Sequence, residues 1–279
     1  METTIIGEVK MVELLNKHSE TGMHVVFDIE TAPLPDDLLA RVYDDSKLVL
    51  PERPAPFKAD EAVPKNWKDP VKIKARLLEK QAEYMKEVEQ HPDRVAAVKD
   101  EAWGKFKEKA ALEALTGWVC AIGYSFVPVN ATAKKAKRSL YIQTAMEQGR
   151  EHTVLDNFWE IAGHLAVRSM VGHNIKEFDM PFLTQRSWLN SMRKNPFDAR
   201  GFLDSVYRDT MIVWNCGRRG KYTKLDTICR AMNVKGKTEG LTGDQFYPLL
   251  LSDPEKADEY LEDDVMATER IAGLMGLFN

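Results

Sequence analysis

Asp28 and Glu30 are the first residues of this chain whose types and spacing invite chemistry. They end the run His24-Val-Val-Phe-Asp-Ile-Glu30, which is β-branched and aromatic until the acids appear and reads as a buried strand. Residues two apart on a strand share a face, so both carboxylates project one way while Phe27 and Ile29 point into the core. Two acids side by side in apolar surroundings repel one another and lose hydration, a cost that a divalent cation removes. All-oxygen donors suit Mg²⁺ or Mn²⁺ rather than zinc, and no His-Cys cluster competes for the role. A strand end whose acids face water is the plainer alternative, and Asp-x-Glu alone does not decide between them.

Two further clusters carry carboxylates. In Gly172-His-Asn-Ile-Lys-Glu-Phe-Asp-Met-Pro181, Gly172 and Asn174 suit a tight strand-to-helix turn. Asp179 then falls near a helix start, where negative charge is favoured; a capped helix with an exposed acid would look the same. In Tyr260-Leu-Glu-Asp-Asp264, Tyr260 and Asp264 are four apart and share a helix face. Leu261 and Val265 form a neighbouring stripe suited to packing on a sheet. A phenol in that position can orient a water while the acid holds an ion. Glu259, Glu262 and Asp263 point equally to a solvated acidic face.

These residues need a frame. The strand at 24–30 ends at Thr31-Ala32-Pro33, because proline cannot donate to a ladder. From 34 to 64 the chain is rich in proline and acid and has no clean period. Over 70–115, Ile73, Leu77, Leu78 and Met85 recur at helical steps among Lys and Glu, predicting amphipathic helices broken near His91-Pro92. They form either a solvated hairpin beside the core or a clamp over substrate. Strands are predicted at 118–127 and 139–144, joined by a loop holding Lys134, Lys135, Lys137 and Arg138. A helix over 151–168 carries Leu155, Phe158, Ile161 and Leu165 on its apolar face. Then come a short strand at 170–172, a helix at 178–192, a strand at 209–214, and helices at 224–232 and 254–277. The alternation predicts an α/β sheet flanked by helices.

With 279 residues, the chain can hold one large domain or a core with a sizeable insertion. A net charge of −4 gives no global attraction to a polyanion, which argues against a coat protein but leaves room for a local basic groove. Three cysteines without a Cys-x-x-Cys pair argue against a disulfide framework or zinc knuckle and fit a reducing cytoplasm. No secretory leader or membrane-spanning run is apparent, so a cytoplasmic protein with no membrane association is expected.

Taken together, Asp28-Ile-Glu30, Asn174 through Phe178-Asp179, and Tyr260-x-x-x-Asp264 resemble the three motifs of DEDD 3′–5′ exonucleases. The similarity is to the proofreading domain of family B DNA polymerases and to related stand-alone exonucleases. The phrase Asn-x-x-x-Phe-Asp-x-Pro is characteristic of that branch, and the motifs run from about residue 24 to 275. The histidine subclass has its base five residues before the last acid; Glu259 stands there and Tyr260 follows, which resembles the tyrosine type. The resemblance implies a ribonuclease-H-like fold with a mixed five-stranded sheet, helices on its faces, and a helical insertion after the first strand. It implies a core of about 20–40 and 117–279 with a charged insertion at 41–116, the long insertion being a departure from the pattern.

The same resemblance implies two divalent ions, Mg²⁺ or Mn²⁺, held by Asp28, Glu30, Asp179 and Asp264. Tyr260 would position the water that releases nucleoside 5′-monophosphates from a 3′ end. Single-stranded DNA is favoured over RNA as the partner, with a replication or repair protein as a possible associate. Thr31, Leu34, Asn174 and Phe178 are candidates to touch terminal nucleotides, and Arg218, Arg219 and Lys221 to follow phosphates. Phe178 could equally pack in the core, and the basic run could be a solvated loop. Lys237 also recurs in related stand-alone exonucleases, with an obscure role. An RNA-trimming enzyme of the ribonuclease D kind and a silent nucleic-acid-binding module are the rival readings. A calcium-binding protein would need an Asp-x-Asp-x-Asp-Gly loop, which the chain lacks.

Overall fold

Strand-forming runs and amphipathic helices alternate along the chain, and the computed structural model shows how they assemble. It describes residues 3–5, 7–129, 138–193, 206–218, 220–236 and 243–278. Met1–Leu39 and Ala110–Asn279 form one compact unit, and Ala40–Lys109 form a second.

The first unit is built on strands β1 (Thr3–Ile5), β2 (Met23–Pro33), β3 (Gly117–Pro128), β4 (Arg138–Thr144), β5 (Val167–Gly172) and β6 (Tyr207–Asp209). Their order is β1-β4-β3-β2-β5-β6. β3 is antiparallel to both β2 and β4, while β5 is parallel to β2 and β6. β2 to β6 are the mixed five-stranded sheet of a ribonuclease-H-like fold. The three-residue β1 adds a sixth strand at the β4 edge, parallel to β4.

Helices α1 (Glu8–Lys17), α2 (Asp36–Val42), α3 (Pro70–Ala110), α4 (Glu151–Gly163), α5 (Asp179–Leu189), α6 (Thr210–Trp214), α7 (Leu225–Ala231), α8 (Gly243–Ser252) and α9 (Pro254–Leu274) complete the described elements. None is long and apolar enough to cross a membrane.

The pleat of β2 assigns its two faces. Phe27 is fully buried and meets Phe158 of α4 with ring centroids 5.3 Å apart, so α4 covers that face. Asp28 pairs across the ladder with Gly123, on the opposite face. A methyl group at Gly123 would sit 2.8 Å from Leu261 Cγ and 2.9 Å from a Val265 methyl. α9 therefore covers the face that carries the acids. Two residues along β3, the Ser125 hydroxyl donates to Glu269 Oε2 of α9 at 2.6 Å. α7 packs beside α9 through Leu225, Ile228 and Cys229 against Ala267 and Ile271.

Behind the α4 face lies a buried ion pair. Glu151 Oε1 accepts from the Val119 amide (2.8 Å) and Arg186 Nε (2.9 Å), while Oε2 accepts from Arg186 Nη2 (2.6 Å) and Asn190 (2.9 Å). The guanidinium also donates to the Ala114 carbonyl. Breaking such a pair leaves a buried charge uncompensated, at a cost of about 3–5 kcal/mol. It ties α4, β3 and α5 together, and α5 begins with Asp179.

In the second unit, α3 runs unbroken for 41 residues through Pro92, where the sequence predicts a break. Side chains hold the chain around the proline: His91 Nε2 donates to the Pro51 carbonyl (3.1 Å), and Arg94 donates to the Glu87 carbonyl (3.3 Å). Tyr43 packs on Trp103 and Phe106, and Phe57 on Tyr84, so the irregular stretch before α3 is laid along it.

Other boundaries differ from the sequence reading. β2 continues through Pro33, because its last residues pair only with β3 and the missing proline donor faces no second strand. α4 stops at Gly163, since β5 must start at Val167, and Leu165 is 83% exposed instead of lying on an apolar stripe. The strand expected at 209–214 is instead the last residue of β6 followed by α6. The Asp209 carboxylate accepts from the Met211 and Ile212 amides and starts a helix there. Lys134, Lys135 and Lys137 of the predicted loop lie outside the described residues.

Candidate metal centre

Three carboxylates from two distant parts of the chain converge on the α9 face of the sheet. One ligand oxygen each from Asp28, Glu30 and Asp264 lies within 4.8 Å of the others. Asp28 and Glu30 share a face of β2 because they are two apart. Asp264 is brought over them because Leu261 and Val265 of the same helix settle on Gly123. Glu30 and Asp264 are buried and Asp28 is half-buried. Hard oxygen donors this close together fit a divalent cation such as Mg²⁺ or Mn²⁺, which also removes their mutual repulsion. Among the described residues, no softer donor such as a histidine nitrogen or a cysteine sulfur is part of the cluster.

Asp179 approaches the strand of the first two acids from a third element. It is the first residue of α5, buried, and its Oδ1 accepts from the Ile29 amide at 3.3 Å, between the two acids of β2. Burial pushes its carboxyl well above the usual carboxylate range, and the charge of Asp28 pushes it the same way. The amides of Asp179 itself and Ile29 oppose the shift without cancelling it. A carboxylate so placed is stabilised in its charged form by a nearby cation.

The loop leading into Asp179 is held by a residue that the sequence reading passed over. Asp209 is buried and accepts from four backbone amides: Asn174 (3.0 Å), Lys176 (3.0 Å), Met211 (2.9 Å) and Ile212 (3.4 Å). Asn174 adopts a left-handed conformation (φ 65°), and its carbonyl accepts from Glu177 and Phe178. His173 bridges the loop to the 223 region. Its Nε2 donates to the Thr223 carbonyl (2.8 Å), and its Nδ1 is hydrogen-bonded with the Thr210 hydroxyl (2.9 Å). The available signal was Asp209 directly before Thr210-Met211, an N-cap pattern hidden by the β-branched residues that follow.

The remaining candidates are dispersed. Tyr260 lies one turn before Asp264 on α9, buried, with its ring against Phe246 (5.9 Å). Gly243, at the start of α8, approaches Glu30 so that a methyl group there would be 3.8 Å from Oε2. The Thr31 hydroxyl is committed to the Ala111 carbonyl (2.7 Å), and Leu34 is buried. Phe178 is half-buried against Phe182. Arg218 and Lys221 are exposed on the turn after α6, where the Lys221 carbonyl accepts from Asn215. Arg219 and Lys237 lie outside the described residues.

No protein-family model matches this chain, and no curated protein does. Among solved structures it is similar to the family B DNA polymerase of the hyperthermophilic archaeon Pyrobaculum calidifontis. The likeness is 17% in sequence, covers 61% of this chain and 23% of the polymerase, and has a TM-score of 0.45. The chain thus matches less than a quarter of that protein's length. What the chain itself presents is a ribonuclease-H-like α/β core whose central strand and last helix bring three acids together where they could hold a metal ion.

Proposed function

We propose that the chain is a 3′–5′ exonuclease of the tyrosine DEDD type, hydrolysing single-stranded DNA from its 3′ end to nucleoside 5′-monophosphates. The observation that carries the reading is the convergence of Asp28, Glu30 and Asp264 within 4.8 Å, with Asp179 tied between the first two by the Ile29 amide. Four acids on three elements match the order and spacing of the motifs read in the sequence. The exonuclease core would be 20–40 and 117–279, with 41–116 as its insertion. Its three free thiols fit a reducing cytoplasm.

Asp28, Glu30 and Asp264 would hold one divalent ion, and Asp28 with Asp179 would support a second. The ions would supply charge stabilisation for the attacking and leaving oxygens and acidify the attacking water. Tyr260 orients that water toward the terminal phosphorus through its phenol. Leu261 and Val265, seated on Gly123, fix α9 so that Asp264 lies over the acids of β2, and the Ile29 amide keeps Asp179 aimed at them. In-line attack breaks the bond to the 3′ oxygen of the penultimate nucleotide, which leaves with a proton.

The test is degradation of 5′-labelled single-stranded DNA and RNA of one sequence with Mg²⁺, Mn²⁺ or EDTA, beside Asp28→Ala. A metal-dependent ladder shortening from the 3′ end, lost in the variant, is expected, with DNA preferred. Faster RNA cleavage would move the assignment to RNA trimming. Equal cleavage by the variant would remove the catalytic assignment.

A further inference from the structure

The second unit carries a groove that the nuclease site does not use. It is open, about 630 Å³ in volume, and lined by Pro64, Trp67, Lys72, Ala75, Arg76 and Glu79. Lys72, Ala75, Arg76 and Glu79 follow the three- and four-residue steps of one α3 face, so the first three turns of that helix form the floor. The other wall is the turn before the helix, where the Trp67 amide donates to the Pro64 carbonyl at 3.0 Å. Trp67 is left 40% exposed at its edge.

The segment that builds the groove is basic against the trend of the chain. Lys65, Lys68, Lys72, Lys74 and Arg76 face a single carboxylate over residues 65–76, in a protein whose net charge is −4. That carboxylate, Asp69, accepts from the Val71 and Lys72 amides (2.9 and 3.3 Å) and caps α3. Glu79 pairs with Arg76 at 2.7 Å and offsets one of the cations. Lys65, Lys68 and Lys72 are exposed. Lys72 and Arg76 sit about 6 Å apart along the helix axis, a row of positive charge beside a flat aromatic ring.

We propose that this groove binds single-stranded nucleic acid, with Trp67 stacking on a base and Lys65, Lys68 and Lys72 contacting its phosphates. An exposed tryptophan among lysines recognises a polynucleotide better than an acidic polypeptide, because every base offers a ring face and every linkage a charge. The choice of a polynucleotide rests on the nuclease reading, but the binding itself does not require the reaction.

The experiment uses the full chain in EDTA and follows fluorescence anisotropy of labelled oligothymidylate against salt. All substitutions are at exposed positions. Trp67→Ala should weaken binding roughly ten-fold while Trp67→Phe stays within about two-fold. Replacing Lys65, Lys68 and Lys72 with Ala should lower the salt slope by about 2. Unchanged affinity and slope in these variants would overturn the proposal. So would competition by polyglutamate as strong as by unlabelled DNA, with no effect of Trp67→Ala; that result would assign the groove to an acidic protein partner. Mg²⁺-dependent hydrolysis of thymidine 5′-monophosphate p-nitrophenyl ester separates the two readings. It should be unchanged in the groove variants. If wild-type protein fails to cleave it yet shows the Trp67 effect, the nuclease reading falls and the groove stands.

Discussion

The Ile29 amide donates to the Asp179 carboxylate across 150 positions of sequence. Ile29 buries its side chain on the α4 side of the sheet, and its amide belongs to a strand whose ladder partners change along its length. One main-chain donor therefore draws the start of α5 toward the two acids of β2. The consequence is a buried carboxylate held beside Asp28, its ionisation opposed first by burial and then by the charge of Asp28.

Asp179→Asn keeps an oxygen for the Ile29 amide and removes the carboxyl whose ionisation burial and the charge of Asp28 both oppose. In EDTA the variant should melt about 2–4 °C higher than the wild type, the effect of roughly 1 kcal/mol in a protein of this size. Mg²⁺ or Mn²⁺ should raise the wild-type melting temperature and raise the variant's much less. Exonuclease activity should fall roughly 10³-fold. A melting point that falls in EDTA would show that the cluster is not strained by its own charge.

Tyr260→Phe should retain the fold, because the ring still packs on Phe246. The phenol is lost but the acids remain, so kcat should drop about ten- to a hundredfold, less than for any of the acids. Single-turnover rates on labelled single-stranded DNA would measure it. An Asp264-sized loss would make the phenol part of the ion-holding set.

Gly123→Ala tests how α9 is seated. The added methyl would approach Leu261 and Val265 at under 3 Å and lift the helix that carries Tyr260 and Asp264. Overpacking of this kind costs about 1–3 kcal/mol. Denaturant unfolding should show that loss, and activity should fall by more than a stability loss of that size explains. Unaltered activity would mean that the acids tolerate movement of α9.

Asp209→Ala removes the acceptor of four amides and should destabilise the protein by about 3 kcal/mol. Asp209→Asn keeps one carbonyl oxygen and should recover part of both stability and activity. Equal damage from the two variants would place the importance of Asp209 in its charge instead of its acceptor geometry.

Acid should destabilise the fold through His24. Burial lowers its pKa first, and the Arg208 guanidinium lowers it further. Its ring is buried, with Nδ1 against the Ser169 hydroxyl at 2.8 Å. In the unfolded chain the imidazole takes a proton near its usual value of about 6.5; in the fold it does so only at lower pH. The unfolded state thus binds more protons in that interval. The stability that neutral His24 supports is complete above about pH 6.5 and is lost as pH falls through the folded value. His24→Gln should show a flatter melting temperature between pH 7 and 5; an unchanged slope would assign the acid sensitivity elsewhere.

The sequence by itself determined the parts whose signal is local. Asp28 and Glu30 share a face because a strand repeats every two residues, and Tyr260 and Asp264 share one because a helix nearly repeats every four. The alternation of elements was enough to indicate an α/β sheet flanked by helices. Where local rules met tertiary forces, they lost. Pro92 sits inside α3, where His91 and Arg94 fasten the surrounding chain. Thr210–Trp214 has strand-like residues but turns helical under the Asp209 cap.

Only the tertiary structure decided that Asp264 meets Asp28 and Glu30, because that meeting depends on a missing side chain at Gly123 and on two apolar residues of α9 filling the space. It also decided that Thr31 and Leu34 face protein, and that Asp209 gathers the amides of a loop 33 to 35 residues away. Short-range periodicity orients a side chain relative to its own backbone. The close approach of two backbones depends on packing between elements far apart in sequence.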